Sequence, residues 1–339
     1  MTTKKANWLF LTIILVHIGV VVLLNFAWER ISINIIMNFF LSEMILMVPT
    51  LLFLLISEQK SHQTRPPVYG AYGMEPAAPV IPRPFEAAAF HKIKISTLLM
   101  IVLCTFLIMP LVVVLNALSM FFTDNAMAAL QGDIVDTPFV VMLFMIGIMG
   151  PFCEEFVFRG VIYRSYRRRD EDENNERYKN GRSGGIRAIL LSAFLFGLMH
   201  MNYNQMIYAF AMGILLAFLV EAAGSLWASV FCHMFFNSIE VVLMYVSSSI
   251  LSSAYGRAAS EAAAELTTQE LLAALSVYLI IAAVTTPIAV CVVVLIAKNE
   301  GRQDAVAALF AKSQKHLLSI PLIVAMVLCF GYMSLEFFL

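Results

Sequence analysis

Charged side chains are scarce in this sequence: Asp, Glu, Lys and Arg make up 13% of it, against 60% hydrophobic residues and a mean hydropathy of +0.83. This balance lies well outside that of soluble domains and indicates a polytopic helical membrane protein. The formal net charge of −1 says little about partners, because the distribution of charge matters more than its sum. We expect a lipid bilayer around the chain and no nucleic-acid partner.

Paired cysteine spacing and the zinc-protease motif His-Glu-x-x-His are both absent from the sequence. No internal repeat of the kind that many transporters show is visible either. The first apolar run, residues 7–27, is too long for a signal-peptide core and lacks a clear cleavage site, so we predict a retained span. We expect all five cysteines to be buried thiols rather than a disulfide framework or a zinc knuckle. They are Cys104, Cys153, Cys232, Cys291 and Cys329.

Nine apolar runs approach the roughly 20 residues that a helix needs to cross a bilayer. The fifth and sixth runs are short and nearly fused around Asn202, so eight spans are the alternative. We predict an all-α transmembrane bundle of eight or nine spans with a polar intramembrane cavity. The nine runs are 7–28, 33–57, 95–119, 138–164, 187–201, 203–222, 226–252, 270–297 and 317–338.

The positions of Lys and Arg predict the orientation. With a cytoplasmic N-terminus, only Arg30 and Arg257 of the 22 basic residues lie outside, and Arg159 lies within a span. We therefore predict a multi-pass protein of a bacterial plasma membrane with a cytoplasmic loop at 165–186. The chain then divides into two helices at 1–57, a Pro-rich cytoplasmic linker at 58–94, a helical core at 95–252 and C-terminal transmembrane helices at 253–339.

Three ionisable residues, Glu154, Glu155 and Arg159, interrupt the fourth apolar run. A charge at bilayer depth costs at least a few kcal/mol and indicates a functional site by default. Glu155 and Arg159 are four residues apart and can pair along one helix face. Glu154 is rotated by about 100° from that face, and an unpaired carboxylate in a low dielectric suits a general base. A purely structural ion pair between transmembrane helices is the alternative.

Two later runs carry further polar groups. Phe196 precedes His200 by one helical turn, and His233 precedes Asn237 by four residues. Taken singly, a lone histidine is more often a hydrogen-bonded core residue, and a His–Asn pair more often links helices. Residue counts from the helix ends, however, place Glu154, His200 and His233 at about half the thickness of the hydrocarbon core. We expect the polar groups to converge on one water-accessible cavity that opens toward the cytoplasmic half.

The order Glu-Glu-x-x-x-Arg, Phe-x-x-x-His and His-x-x-x-Asn, at about residues 138–240, resembles the CAAX-protease and bacteriocin-processing (CPBP, or Abi) family of membrane endopeptidases. The resemblance implies hydrolysis of a peptide bond by a glutamate-activated water. It implies Glu154 as the base, His200 as its partner in holding the water, and His233 with Asn237 as stabilisers of the oxyanion. The residues it assigns to the support of this site are Glu155, Arg159 and Phe196.

The resemblance also implies a cofactor-free enzyme whose substrate is a membrane-associated or lipidated peptide, cleaved near the cytoplasmic surface. A lipidated C-terminal tail and a leader or bacteriocin-like peptide both remain open. Zinc bound by Glu154, His200 and His233 is one alternative, and a cysteine protease acting through Cys153 or Cys232 is another. The rival from a different class is a non-enzymatic transporter or immunity-type scaffold that uses the Glu/Arg/His cluster as an ion relay.

Overall fold

The computed structural model describes residues 1–27, 33–63, 90–167, 185–253, 267–311 and 316–335. Within these ranges the chain is built from helices, and no strand occurs. The predicted all-α fold is therefore confirmed. The helices are α1 Thr3–Ala27, α2 Ile35–Gln63, α3 Ile95–Ser119, α4 Ala126–Asp136, α5 Phe139–Arg167, α6 Gly185–Met199, α7 Tyr203–Ala223, α8 Leu226–Ser252, α9 Thr268–Asn299, α10 Gln303–Ala307 and α11 Ile320–Leu335.

Seven of these helices are long and apolar enough to cross a membrane, namely α1, α2, α3, α5, α7, α8 and α9. The chain is thus an integral, multi-pass membrane protein. The predicted fifth and ninth spans correspond to the shorter apolar helices α6 and α11. The count of eight or nine spans is therefore approximate, because these two helices are short of a full crossing.

The connections between the predicted spans are only partly described. The segment between α3 and α5 contains α4, which is capped by Asn125, whose side chain accepts hydrogen bonds from the backbone N–H groups of Met127 and Ala128. Helix α2 continues to Gln63, into the linker predicted to begin at 58. The remainder of that linker, 64–89, and residues 168–184 of the predicted cytoplasmic loop lie outside the described residues.

One end of the bundle gathers the starts of α1, α3 and α8 and the last turns of α2, α5, α7 and α9; we call it the basic end. Glu221 near the end of α7 is central there. Its carboxylate accepts hydrogen bonds from Tyr163 Oη at 2.7 Å and from Arg167 Nε at 2.8 Å, and its backbone carbonyl accepts one from Arg302 Nε at 2.8 Å. Lys5 Nζ likewise donates to Ser57 Oγ at 3.0 Å, joining α1 to α2.

The opposite end, which we call the far end, is joined by neutral polar groups. Asn204 Nδ2 at the start of α7 donates to Asn116 Oδ1 at 2.9 Å and to Ser119 Oγ at 2.7 Å, both at the end of α3. Tyr245 Oη on α8 donates to the carbonyl of Ile134 on α4 at 2.6 Å. The two ends of the bundle therefore differ in charge, and every long helix runs from one to the other.

The chain reversals before and after α7 are encoded locally in the sequence. Asn202 caps α7 by accepting a hydrogen bond from the Gln205 N–H. Gly224, with a φ of 69°, ends α7 in the left-handed conformation that glycine adopts without strain, and Ser225 then caps α8. A Cβ atom at Gly197 of α6 would lie 2.7 Å from the carbonyl oxygen of Met206 on α7, so this residue lets the two helices touch.

We predict that Gly197→Ala destabilises the bundle by roughly 1–3 kcal/mol, since the added methyl group forces the α6 and α7 backbones apart. Thermal unfolding of the purified protein in detergent measures the change. Gly331→Ala on α11 is the matched control: nothing lies within 4 Å of its Cβ position, so the helix should be unaffected or gain about 0.5–1 kcal/mol. Equal unfolding midpoints for the two variants would contradict the close approach.

Candidate active site

Helix α5 changes its hydrogen-bond pattern on both sides of the paired glutamates. Leu143–Met149 and Phe156–Tyr163 are π-helical, and Gly150–Glu155 between them is α-helical with Pro151 in its first turn. π-helical turns are rare and frequently accompany functional sites. The backbone geometry that carries Glu154 and Glu155 is therefore unusual for a transmembrane helix.

Pro151 explains the position of Asn237. The Gly150 N–H bonds the carbonyl of Met145, five residues back, and Pro151 has no N–H to offer the next carbonyl. The carbonyl of Ile146 is thereby left without a partner in its own helix. Asn237 Nδ2 on α8 donates to it at 3.2 Å, so one amide hydrogen of Asn237 links α8 to α5 and the other stays available.

Glu155 and Arg159 form the ion pair that their spacing predicts. Arg159 Nη1 lies 2.6 Å from Glu155 Oε1, and both side chains are fully buried. Arg159 Nη2 also donates to the carbonyl of Gly213 on α7 at 3.1 Å. The guanidinium carbon lies 4.2 Å from the ring centroid of Phe196 on α6, a cation–π contact. One buried arginine thus connects α5, α6 and α7.

His233 on α8 contacts both glutamates. Its Nδ1 lies 3.0 Å from Glu155 Oε1, and because an ionised carboxylate only accepts hydrogen bonds, Nδ1 is the donor. Its Nε2 lies 3.7 Å from Glu154 Oε2, beyond hydrogen-bond range. Glu154 Oε2 is buried and has no hydrogen-bond partner among the described residues. This oxygen is therefore available to a water molecule or a substrate.

His200 at the end of α6 has a defined tautomer. Its Nδ1 lies 2.9 Å from the carbonyl oxygen of Phe196, so Nδ1 carries the proton and Nε2 has a free lone pair. The Phe196 ring packs edge-on against both imidazoles, with centroids 5.1 Å from His200 and 5.8 Å from His233. Phe196 thereby orients both histidines as well as the arginine.

A cavity of about 420 Å³ brings together the four residues predicted to be catalytic: Glu154, His200, His233 and Asn237 all line it. The predicted polar intramembrane cavity is therefore present. Two further carboxyl groups, Glu43 of α2 and Glu240 of α8, also line the cavity. The sequence pattern alone did not identify them as site residues. A single ionisable residue inside an apolar run was the signal that could have identified Glu43.

The cavity lies in the half of the bundle away from the basic end. Besides the residues at mid-depth, its lining includes Asn38 near the start of α2, Asn116 near the end of α3, Asn125 before α4 and Gln205 near the start of α7. All four belong to the far end. The expected cytoplasmic opening is therefore incompatible with a cytoplasmic basic end. The charges at the helix ends predict an orientation, but they do not determine in which half the helices separate.

The two alternative chemistries have less support in the geometry. Within the described ranges, no group of three or more His, Cys, Asp or Glu side chains is placed to hold a metal ion. The zinc set of Glu154, His200 and His233 shares the cavity without forming such a group. All five cysteines are free thiols; four are buried as predicted, but the prediction was wrong for Cys291, which lies on an exposed face of α9. Cys232 Sγ lies 3.3 Å from Thr105 Oγ1, and neither Cys153 nor Cys232 forms a hydrogen bond with a histidine among the described residues.

We predict that Arg159→Met destabilises the protein by about 3–5 kcal/mol, because it leaves the Glu155 carboxylate buried without its cation. Adding Glu155→Gln to that variant should restore much of the loss, since the two changes together remove both charges. Thermal unfolding of the two single variants and the double variant measures the coupling. Additive losses in the double variant would contradict a direct interaction.

Comparison with known proteins agrees with the motifs. Residues 136–239 match the family described as type II CAAX prenyl endopeptidase Rce1-like. The chain is also 26% identical over 103 residues to the Bacillus subtilis (strain 168) protein named "Putative membrane peptidase YdiL", a match that covers 30% of this chain and 37% of that relative. No solved structure matches it. Residues 136–239, which carry all three motifs, therefore match a family of membrane endopeptidases, in agreement with the resemblance seen in the sequence.

Proposed function

We propose that this protein is an intramembrane endopeptidase that hydrolyses a peptide bond of a membrane-associated peptide with a glutamate-activated water. The observation that carries the proposal is the convergence of Glu154, His200, His233 and Asn237 on one cavity, with Glu154 Oε2 free of any donor among the described residues. The match of residues 136–239 to a peptidase family favours this reading over an ion relay built from the same cluster.

In the proposed reaction, Glu154 Oε2 accepts one proton of the water, and the His200 Nε2 lone pair accepts a hydrogen bond from the other. The water oxygen, held between the two residues, attacks the carbonyl carbon of the scissile bond. The remaining amide hydrogen of Asn237 is suited to donate to the developing oxyanion, as is His233 when Nε2 is protonated. Glu155 and Arg159 take no proton; they hold the His233 ring in place.

We expect Glu154→Gln to lower turnover by about 10²–10⁴-fold, since it keeps the size of the side chain and removes its basicity. His200→Ala should match it, because base and partner act as one unit and such losses do not add. Asn237→Ala should cost on the order of 10²–10³-fold for one oxyanion donor. Mass spectrometry of cleaved membrane peptides, with and without the active protein, first identifies the substrate for this assay.

Cys153→Ala and Cys232→Ala are the controls in this series and should retain activity, as the proposal gives neither thiol a role. Normal cleavage by Glu154→Gln together with loss in Cys153→Ala would refute the glutamate mechanism. Purified protein that loses activity under stringent chelation and regains it with zinc would refute the metal-free form. A chelation-resistant enzyme that needs Glu154 and His200 is the expected result.

The direction of the cavity bears on how the substrate arrives. The proposed orientation puts the basic end in the cytoplasm, and the cavity lining runs from mid-depth to the far end. The scissile bond therefore reaches Glu154 from the outer half of the bilayer rather than from the cytoplasmic surface. A peptide with a segment in the outer leaflet, such as a secreted peptide with its leader, suits this geometry better than a cytoplasmic lipidated tail.

Cysteine labelling tests orientation and access together. Asp124→Cys lies at the far end between α3 and α4, and Asp304→Cys lies at the basic end in α10; both native side chains are exposed. With the exposed Cys291 replaced by Ala, a membrane-impermeant maleimide added to intact cells should label only Asp124→Cys, and a reporter fused near Asn175 should read as cytoplasmic. Labelling of only Asp304→Cys would place the cavity on the cytoplasmic side.

A further inference from the structure

Glu43 is a carboxyl group that none of the three motifs includes. It lies on α2 within the span Ile35–Ser57, is 7% exposed, and lines the same cavity as Glu154. Its Oε2 is buried without a hydrogen-bond partner in the described part of the chain. A buried carboxyl group with an unsatisfied oxygen lowers the stability of the folded protein. The presence of Glu43 in an apolar helix therefore points to a function within this cavity.

The α5 backbone is shaped to receive Glu43. A Cβ atom at Gly150, one turn before Glu154, would lie 3.3 Å from Glu43 Oε1. Glycine at this position thus lets the carboxyl approach the helix that carries the proposed base. Because Gly150 precedes Glu154 by one helical turn, the Glu43 carboxyl lies against the same face of α5 as Glu154. Two carboxyl oxygens without donors, Glu43 Oε2 and Glu154 Oε2, consequently belong to one cavity.

Burial decides which of the two carboxyl groups holds a proton. Two carboxylates close together in a low dielectric cannot both remain ionised, and such a pair holds one proton between them. Glu154 is partly exposed to the cavity, whereas Glu43 is buried. Burial disfavours the charged form of a carboxyl group. The more deeply buried Glu43 is therefore the better carrier of the one proton that such a pair holds.

We propose that Glu43 is the general acid of the reaction and forms a proton-sharing carboxyl pair with Glu154; this inference rests on the proposed peptidase function. As the water oxygen bonds the carbonyl carbon, its proton passes to Glu154 and the C=O electron pair moves onto the carbonyl oxygen. The carbonyl then re-forms, the C–N bond breaks, and the leaving nitrogen takes the proton of Glu43. The proton on Glu154 returns to Glu43, so the pair ends as it began.

Other ionisable groups face the same cavity and must be separated from Glu43 in any test. They are His17 of α1, Glu154 of α5, His200 of α6, Tyr208 of α7, and His233 and Glu240 of α8. Among them Glu240 is the other carboxyl that could hold a proton, because it is partly buried and has the same water-poor surroundings. Glu240→Gln is therefore the matched comparison for Glu43→Gln.

Infrared difference spectroscopy tests the protonation without any substrate. The full-length protein in lipid nanodiscs at neutral pH should show the C=O stretch of a protonated carboxylic acid. Glu43→Gln should remove this band, and both Glu154→Gln and Glu240→Gln should retain it. A band that survives Glu43→Gln and disappears in either other variant would overturn the assignment. Because glutamine is a neutral replacement of nearly equal size, the unfolding temperature of Glu43→Gln should stay unchanged.

Turnover of the peptide identified by mass spectrometry tests the acid role. Glu43→Gln should lower kcat by about 10²–10⁴-fold with little change in KM, and the alkaline limb of its pH–rate profile should disappear. Val48→Ala, an exposed position of the same helix outside the cavity lining, should retain full kcat. An unchanged kcat in Glu43→Gln would overturn the general acid. A chain without any turnover would refute the peptidase function, whereas the infrared band would still decide the protonation of Glu43.

Discussion

The architecture of the site depends on one buried cation. Arg159 has no exposed surface, and moving a guanidinium out of water is affordable only with compensating partners. It finds them on three helices: the Glu155 carboxylate, the Gly213 carbonyl and the face of the Phe196 ring. Glu155 also accepts a hydrogen bond from His233 of α8. The partners that the buried Arg159 charge requires therefore fix the positions of four helices around the cavity.

A second constraint comes from a missing hydrogen atom. Pro151 has no backbone N–H to donate within α5, and the turn before it is π-helical. The side-chain amide of Asn237 on α8 donates to the Ile146 carbonyl in its place. The cost of an unsatisfied carbonyl in a membrane, several kcal/mol, thereby fixes the alignment of α8 against α5. Asn237 can bond the Ile146 carbonyl and also serve in the proposed oxyanion role, because its side chain has two amide hydrogens.

The sequence was sufficient for most features that depend on local pattern. Apolar length identified the long helices, i,i+4 spacing identified the Glu155–Arg159 pair, and three motifs indicated the family that residues 136–239 match. The π-helical turns could not be predicted, because Pro and Gly are common in transmembrane helices and their effect on α5 depends on contacts with α8 and α2. Glu43 and Glu240 escaped because neither lies in a motif. The direction of the cavity depends on how far the helices diverge, which the residue pattern of a single helix does not encode.

The size of the cavity limits what form of polypeptide can react. An α-helix about 10 Å wide fills roughly 420 Å³ in a single turn, and the whole cavity measures about 420 Å³. If the chain acts as proposed, an intact substrate helix would have room for little more than one turn in this cavity, so we expect the scissile segment to reach Glu154 in extended form. Under the proposed function, substrate choice should then depend on the ease of unwinding more than on side-chain identity. Segments next to a helix end, or weakened by glycine or proline, expose a peptide bond at the least cost.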